Sequence, residues 1–599
     1  MDTTAIDRIA SVANIPQPIA GSRAGRLIAV LVGRNARTVA EVAPTFDPSR
    51  PRGGCIPINI KFTEIPSQVR SDTAVKRWSL LLFFVFLLPI VWLPGLVHAD
   101  EPAVTDQRPN IILILADDLG YGDVSCYGAE PFQTPHIDRL AAEGVRFTSG
   151  YCSASTCTPT RYSLLTGTYA FRNPGTGIAP PNSPLIIPAD GVTLADLLQQ
   201  AGYATGVIGK WHLGLGQPGQ GPDWNGQLKP GPRELGFDYN FLLPTTNDRV
   251  PQVYVENHYV PNLDPQDPLW VGNERPSDDH PTGISHRQTL KMDWSHGHNG
   301  TIHNGISRIG FYTGGQAARF RDEDLADKWV EKSVEWIEAQ RDQPFFLFFS
   351  SHDIHVPRMP HERFQGATPL GYRADSIIQF DWCVGELLKT LDRLELAEQT
   401  LVILCSDNGP VMDDGYHDQA LEKLGDHRAG GPFRGGKYSV YEGGTRTPLI
   451  TRWKGRIEPG VSEQVVCTID MAASLAALTG AELPEDAFLD SFNVLDALLG
   501  KPDAEGRDHL IQQDNGQAGN YGFRVGDWKL QRHDSKRTRN LVVERRLANT
   551  TVPRFQLFNL KDDPGEQQDL LEQYPEIGQR MQARLAELIA AGRSRPIEN

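Results

Sequence analysis

Two pairs of neighbouring hard-oxygen residues stand far apart in the chain: Asp117 and Asp118 in "ADDLGYGD", Asp407 and Asn408 in "SDNGP". Three carboxylates and an amide offer only oxygen ligands, a set that suits Ca2+ or Mg2+ over softer metals. Gathered at one place they would repel one another unless a cation lay among them. A second constellation lies in "CSASTCTPTRYSLLTG", where Pro159 and Arg161 follow Cys157. Proline suits the first turn of a helix, which places Cys157 at a helix amino terminus, where free N–H groups and the dipole favour an anion. Arg161 adds a positive fork suited to tetrahedral oxyanions. Lys210 and His212 in "GYATGVIGKWHLG", His355 in "HDIHVP" and Lys437 in "RGGKYS" complete the ionisable groups with the same promise.

These residues share a position in their segments. "NIILILADD", "YATGVIGKWH", "PFFLFFSSHDIH" and "TLVILCSDN" each begin as an unbroken apolar run of strand length and stop at ionisable residues. Unbroken runs are what strands buried on both faces require. Helix-like segments such as "TPHIDRLAAEGVRF", "TLADLLQQAG" and "DWCVGELLKTLDRLELA" lie between them. The alternation predicts an α/β fold, a large, mostly parallel sheet sandwiched by helices. In such sheets functional groups collect at the carboxyl ends of the strands, so the four endings are expected to meet. Singly, each has an ordinary use as a turn, a cap or a packed side chain; the joint occurrence outweighs those uses.

Two other anion motifs fail. Cysteine phosphatases place five residues between Cys and Arg, and here there are three. "GPFRGGKY" approaches a nucleotide-binding loop, but Tyr438 replaces the required Ser or Thr and no apolar strand precedes it.

"CTPTRYSLLTG" instead resembles the sulfatase signature, Cys-x-Pro-x-Arg followed by Thr-Gly, with Thr160 where Ser is commoner. "GYATGVIGKWHLG" is similar to the second signature of that family. "ADDLGYGD", "HDIHVP", "SDNGP", "GGKYSVYEGGTRTP" and the closing "FQLFNLKDDPGEQQDLLEQYPE" follow in the family's order, so the resemblance covers nearly all of residues 109–599. It implies an alkaline phosphatase-like fold and an arylsulfatase-type sulfuric ester hydrolase. A separate formylglycine-generating (sulfatase-maturating) enzyme would oxidise Cys157 to Cα-formylglycine, whose hydrate is a geminal diol. The implied metal set is Asp117, Asp118, Asp407, Asn408 and an oxygen at position 157 holding Ca2+, with Mg2+ the other candidate. One diol hydroxyl would attack sulfur and expel the alcohol; the second would then collapse to the aldehyde and release sulfate, a form of covalent catalysis. Arg161 would orient the diol, Lys210 bridge diol and sulfate, and His212 accept the proton during elimination. His355 and Lys437 would bind sulfate and assist the leaving oxygen, Asp407 would double as a base, and Thr246 in "LPTTNDRVP" would supply a hydroxyl near His212.

Residues 217–310 are rich in Gly, Pro, Asn and His, as long loops that line a cleft or decorate a surface are. His296 and His298 there are expected as substrate contacts, and His427 and Arg428 are similar candidates. Phosphonate monoester and phosphodiester hydrolases of the same superfamily form the rival enzyme reading; Lys210, His212, His355 and Lys437 favour sulfate. From a different class, a silent carbohydrate-binding homologue should lack a site residue, and none is missing. Sulfated carbohydrates are the expected substrates of such an enzyme if it is exported.

Composition agrees with that compartment. Residues 1–99 carry 11 Lys+Arg against 6 Asp+Glu, and residues 100–599 carry 47 against 68. An acidic body lacks the basic face that nucleic-acid binding needs. "VKRWSLLLFFVFLLPIVWLPGLVHAD" reads as a basic, then apolar, then small-residue signal segment over residues 75–99. The run is long enough to span a membrane, but Pro89, Pro94 and Gly95 favour cleavage after Ala99 and release to the periplasm or exterior, without stable membrane insertion. Val75 directly before Lys76 suits a GTG start codon, leaving residues 1–74 as a misassigned or disordered leader. A catalytic domain is expected over 100–505. Residues 506–599 are expected to form a smaller α+β subdomain with an antiparallel sheet and one helix. Six cysteines after Ala99 are too sparse for a disulfide scaffold. A bridge between Cys152 and Cys157 would waste Pro159 and Arg161, and Cys383, Cys405 and Cys467 read as small packed hydrophobes.

Overall fold

The structure, a computed structural model, describes residues 108–515, 519–535, 537–538 and 550–597, together with three strands nearer the amino terminus. Those strands, Leu27–Gly33, Ala36–Val42 and Ile60–Thr63, pair antiparallel in that order. They belong to a compact unit spanning residues 1–103, and residues 104–599 form the other. Residues 75–99, expected from the sequence to be a signal segment, lie outside the described residues. No helix among the described residues is long and apolar enough to cross a membrane.

The apolar runs become the centre of a nine-stranded sheet. In chain order its strands are β1 (Asn110–Ala116), β2 (Val145–Phe147), β3 (Ala204–Lys210), β4 (Tyr239–Leu243) and β5 (Val255–Glu256), then β6 (Phe345–Ser350), β7 (Thr400–Ser406), β8 (Ile450–Arg452) and β9 (Gly460–Ser462). Their order across the sheet is β9-β2-β8-β7-β1-β6-β3-β4-β5. The five strands from β7 to β4 run parallel; β8 and β5 run antiparallel to their inner neighbours. The four motif-bearing strands are therefore the adjacent quartet β7-β1-β6-β3.

Burial on both faces explains why these runs do not alternate. Ile111, Leu113 and Leu115 of β1 point into one core, and Ile112, Ile114 and Ala116 point into another. Helices α2 (Cys157–Thr166), α3 (Leu194–Gln200) and α6 (Met471–Thr479) cover the first face, through Leu164, Leu198 and Leu475 among others. Helices α1 (Pro135–Ala142), α4 (Leu325–Gln340) and α5 (Tyr372–Arg393) cover the second, through Ile137, Trp329 and Phe380. Each fully buried Ile, Leu or Phe contributes roughly 1.5–3 kcal/mol, so the sheet centre is a rigid platform.

A four-stranded antiparallel sheet follows: β10 (His509–Gln513), β11 (Asn520–Val525), β12 (Trp528–His533) and β13 (Phe555–Asn559). Helix α7 (Pro575–Ala590) packs Met581, Leu585 and Leu588 into its core. Its edge reaches the segment before α2, where the Gln513 N–H donates to the Ser153 carbonyl (3.1 Å) and the Ser155 N–H to the Gln513 carbonyl (2.9 Å).

Candidate active site

Strand register lines up the chemistry. Ser350 of β6 pairs with Leu115 and with Gly209, and Ser406 of β7 pairs with Ala116. The residues that follow these positions must then emerge side by side. Backbone bonds continue the ladder past the strand ends: the Asp117 N–H donates to the Asp353 carbonyl (2.9 Å), and the Asp407 N–H to the Ala116 carbonyl (3.0 Å). Gly209 has φ +113, and a Cβ there would strike the Ser350 carbonyl, so only glycine allows Lys210 to leave the sheet at this point. Asp118 (φ 62) and His212 (φ 53) hold left-handed conformations that non-glycine residues rarely adopt, a common mark of a functional site.

Asp117, Asp118, Asp407 and Asn408 are fully buried together. Arg161 donates from Nε (3.0 Å) and Nη2 (2.8 Å) to Asp407 Oδ2 and from Nη1 to Ser350 Oγ. Lys210 contacts Asp117 Oδ2. Lys437 reaches both Asp118 (2.9 Å) and Asp414 (2.9 Å). Asn408 turns its amide donor to Asp118 Oδ1 (2.7 Å). Among the described residues, two buried acceptors, Asp117 Oδ1 and Asn408 Oδ1, then have no donor. Burial, reinforced by the Asp407 charge, raises the Asp117 carboxyl well above its ordinary range. Burial raises Asp118 as well, although Lys437 opposes it. Orphaned buried acceptors and crowded carboxylates are what a hard divalent cation satisfies, so these residues fit one. A ring nitrogen of His355 lies within 4.8 Å of ligand oxygens of Asp117 and Asp118, which brings this histidine beside the metal set as well as to the anion side.

Cys157 opens α2, every residue of which is buried. The hydroxyls of Thr158 and Thr160 are satisfied by the His212 (3.1 Å) and Ala154 (2.9 Å) carbonyls, so a polar helix can pack without loss. Cys157 Sγ lies 3.2 Å from His212 Nδ1, and His212 Nε2 lies 3.0 Å from the Ala179 carbonyl. A carbonyl only accepts, so Nε2 carries the proton and Nδ1 is the free base facing position 157. Burial, helped by Lys210 and Arg249, holds the His212 imidazole well below its usual range and therefore neutral. Burial also raises the Cys157 thiol, with Lys210 and Lys437 opposing. An unmodified Cys157 is thus a protonated thiol, a weak nucleophile. His355 Nδ1 donates to the Val356 carbonyl (2.7 Å), which leaves its Nε2 lone pair for the site.

Residues 109–481 match the Sulfatase family model, and residues 436–591 match that of the N-sulphoglucosamine sulphohydrolase carboxyl-terminal region. The chain is 49% identical over 471 residues to the N-acetylgalactosamine-6-O-sulfatase of Bacteroides thetaiotaomicron, covering 79% of this chain and 91% of that protein. It is 33% identical over 476 residues to human arylsulfatase A, covering 78% and 84%. A solved 6S-sulfatase from glycosaminoglycan metabolism in Bacteroides thetaiotaomicron superposes with a TM-score of 0.77 at 47% identity, covering 81% of this chain and all of that one. The chain belongs to the sulfatase family. It is a sulfuric ester hydrolase of the formylglycine- and metal-dependent kind, built on the alkaline phosphatase-like fold that the sequence motifs imply.

Around this centre the sulfatase joins candidates named from the sequence to Asp248, Arg249 and Asp414, which its motifs did not single out. Thr246 Oγ1 contacts Asp248 Oδ1 and accepts from Arg249 Nη1 (3.0 Å). Arg249 pairs with Asp248 (2.9 Å), and His298 Nε2 lies 2.9 Å from Asp248 Oδ2. Burial alone would raise Asp248, but Arg249, His355 and His298 hold it well below the usual carboxylate range. Asp248 and Arg249 adjoin Thr246 in "TTNDRVP", the local signal that could have exposed them; Asp414 is the partner of Lys437 in "VMDDGY" and had no comparable signal. His298 is thereby buried beside Thr246, whereas His296 is exposed, 3.9 Å from Asp413. His427 is turned away to Asp123 (2.9 Å), which Arg373 also binds (2.5 Å). His352 accepts from the Trp329 indole (3.1 Å) and Asp353 from Gln379, both on the far face. Among the described residues, Cys126, Cys152, Cys157, Cys383, Cys405 and Cys467 are all free thiols.

Proposed function

We propose that this sulfatase removes sulfate from sulfated carbohydrate, N-acetylgalactosamine 6-sulfate foremost, using Cα-formylglycine made from Cys157 and a Ca2+ ion. The observation that carries the mechanism is the placement of Cys157 Sγ 3.2 Å from the basic nitrogen of His212, next to an oxygen-only cluster with orphaned acceptors. The substrate rests on likeness to the N-acetylgalactosamine-6-O-sulfatase across nearly the whole of that protein. Asp117, Asp118, Asp407 and Asn408 would hold the ion, with an oxygen at position 157. Hydrated formylglycine supplies an oxygen nucleophile for sulfur together with an internal route for releasing the sulfate.

The chain's own residues account for the rest. Arg161, clamped to Asp407 and Ser350, has a single orientation and would orient the group at position 157. Lys210 and Lys437 neutralise the sulfate oxygens, with the Lys437 ammonium the donor available to the leaving oxygen, and His355 presents its Nε2 to the site as an acceptor. His212 Nδ1 receives the proton when sulfate departs. Burial of Cys157, 2% exposed, requires the maturing enzyme to act before α2 packs. Export with removal of residues 75–99 is part of the same reading, and the exported protein is expected to begin at Asp100.

Mass spectrometry of the peptide spanning residue 157, run alongside sulfate release from N-acetylgalactosamine 6-sulfate, tests the proposal. Activity should scale with the aldehyde fraction. Full turnover by protein whose residue 157 is an intact thiol overturns the mechanism. Aldehyde-bearing protein that leaves this sugar untouched overturns the substrate.

A further inference from the structure

A second cavity, of about 500 Å3, lies outside the catalytic centre, between the loops around residues 291–293, 365–375 and 417–423. That volume is in the range of small-molecule sites. Three physical links join it to the sulfate site. The loops carrying its wall run side by side from the site: the Ser295 N–H donates to the Gly415 carbonyl and the His417 N–H to the Asp293 carbonyl, both at 2.9 Å. At their inner ends His298 binds Asp248 and Asp414 binds Lys437. At their outer ends Lys291 and His417 line the cavity. His417 lies three positions after Asp414, a span of at most about 11 Å. Beneath, Met292 and Tyr372 pack with Val356, the residue after His355, in one apolar cluster. Finally, the buried Arg358 bonds Asp418 (2.6 Å) and the Val411 and Met412 carbonyls, tying the His355 loop to the cavity wall.

The charges of this wall are matched with one exception. Lys291 pairs with Glu323 (2.6 Å), Asp293 with Arg287 (2.8 Å) and Asp418 with Arg358. Asp375 accepts the Gly366 and Thr368 N–H groups, both at 2.9 Å. Lys423 has no ion-pair partner among the described residues, and its stem lies across Gly371 on the cavity wall. His417, an exposed residue, lines the same cavity, and the half-buried Tyr372 offers a flat ring face with a polar tip, the surface a sugar ring packs on.

We propose that this cavity is a distal subsite that takes an anionic sugar of the same chain as the scissile sulfate, with Lys423 receiving its carboxylate or sulfate oxygens. The assignment rests on the carbohydrate reading above. It makes the enzyme favour oligosaccharides over the lone sulfated sugar through binding and not through chemistry.

Titration calorimetry on Cys157→Ala protein, with N-acetylgalactosamine 6-sulfate and with a sulfated tetrasaccharide ending in that sugar, tests the subsite directly. Lys423→Ala should weaken the tetrasaccharide about tenfold, the size of one charge-assisted hydrogen bond. Monosaccharide binding should stay as in the parent and Lys423→Arg should restore most of the loss. In matured wild-type protein the same substitution should raise KM for the tetrasaccharide at unchanged kcat. Tetrasaccharides with reduced carboxylates, or without the distal sulfate, identify the anion as the one whose removal abolishes the Lys423 effect. Equal affinity of parent and Lys423→Ala for the tetrasaccharide, or equal losses on both ligands, overturns the subsite. Absence of turnover on either sugar overturns the carbohydrate reading instead, and the calorimetry still decides the cavity.

Discussion

Two buried clusters of charge differ in how fully their oxygens are satisfied. At the hub between the two sheets, Glu442 accepts from Lys529 (2.8 Å), Gln512, Arg446 (3.2 Å) and Tyr151, and Glu566 accepts from Lys529 (3.1 Å), Gln531 (2.6 Å) and the Glu442 N–H (2.6 Å). All four carboxylate oxygens have donors. Burial would raise Glu442, yet Lys529, Arg446 and Arg524 hold it far below its usual range. At the strand ends, Asp117 Oδ1 and Asn408 Oδ1 have none among the described residues, and the Asp117 and Asp118 carboxyls are pushed up. A satisfied cluster is architecture. An unsatisfied one of the same depth is a binding site, because the missing partner must come from outside.

The comparison can be broken by substitution. Cys157→Ala should abolish sulfate release altogether and leave the melting temperature within a degree or two, since the thiol fills no structural need; measurable turnover would break the assignment. Asp117→Asn should lower turnover by roughly 10²–10³ or more. It should also erase the rise in melting temperature that Ca2+ gives wild type, about 2.7 kcal/mol at a hundred times Kd. Without the ion the variant should still lose some stability, because relief from the Asp407 charge is offset by a buried Lys210 left without its carboxylate partner. Glu442→Gln should do the reverse: about 3–5 kcal/mol of stability lost, as when one partner of a buried pair is removed. Its Ca2+ response should be intact and its turnover per folded molecule within a few-fold, read by denaturant melts and sulfate release. A Ca2+-dependent loss at Glu442 would erase the distinction between the clusters.

The smallest effect is a pH slope. Burial, with the Glu442 charge adding to it and Lys529 opposing, raises Glu566 to about 7. The folded state then holds a proton that the unfolded chain releases near pH 4.5. This contribution to stability is complete below that value and is lost as pH rises through about 7. Glu566→Gln removes the titrating group and should flatten the decline in melting temperature between pH 5 and 7, at a lower overall stability because its amide turns a donor toward groups that donate to the glutamate. An unchanged slope would assign it elsewhere.

Legibility followed local order. Asp117, Asp118, Lys210, His212, Asp407 and Asn408 were readable because each lies within two residues of the end of a two-face-buried strand, and parallel strands present their carboxyl ends together. Cys157 was readable from Pro159 and Arg161. Asp248, Arg249 and Asp414 were not, because they sit on irregular loops whose path no periodicity predicts. Glu442, Lys529 and Glu566 look like ordinary surface residues until two sheets close over them. Lys423 carries no motif, and its interest comes only from neighbours that left it unpaired.

Residue types and strand endings alone determined the architecture, the oxygen-only ligand set and the anion-binding character around Cys157, because apolar runs and donor chemistry are properties of the chain itself. Only the folded structure decided which histidine nitrogen faces Cys157, that its thiol is held protonated, that His355 stands beside the aspartates and that Lys437 is shared between Asp118 and Asp414. Protonation and pairing depend on distance and on exclusion of water, and both arise only when segments far apart in sequence are brought into contact.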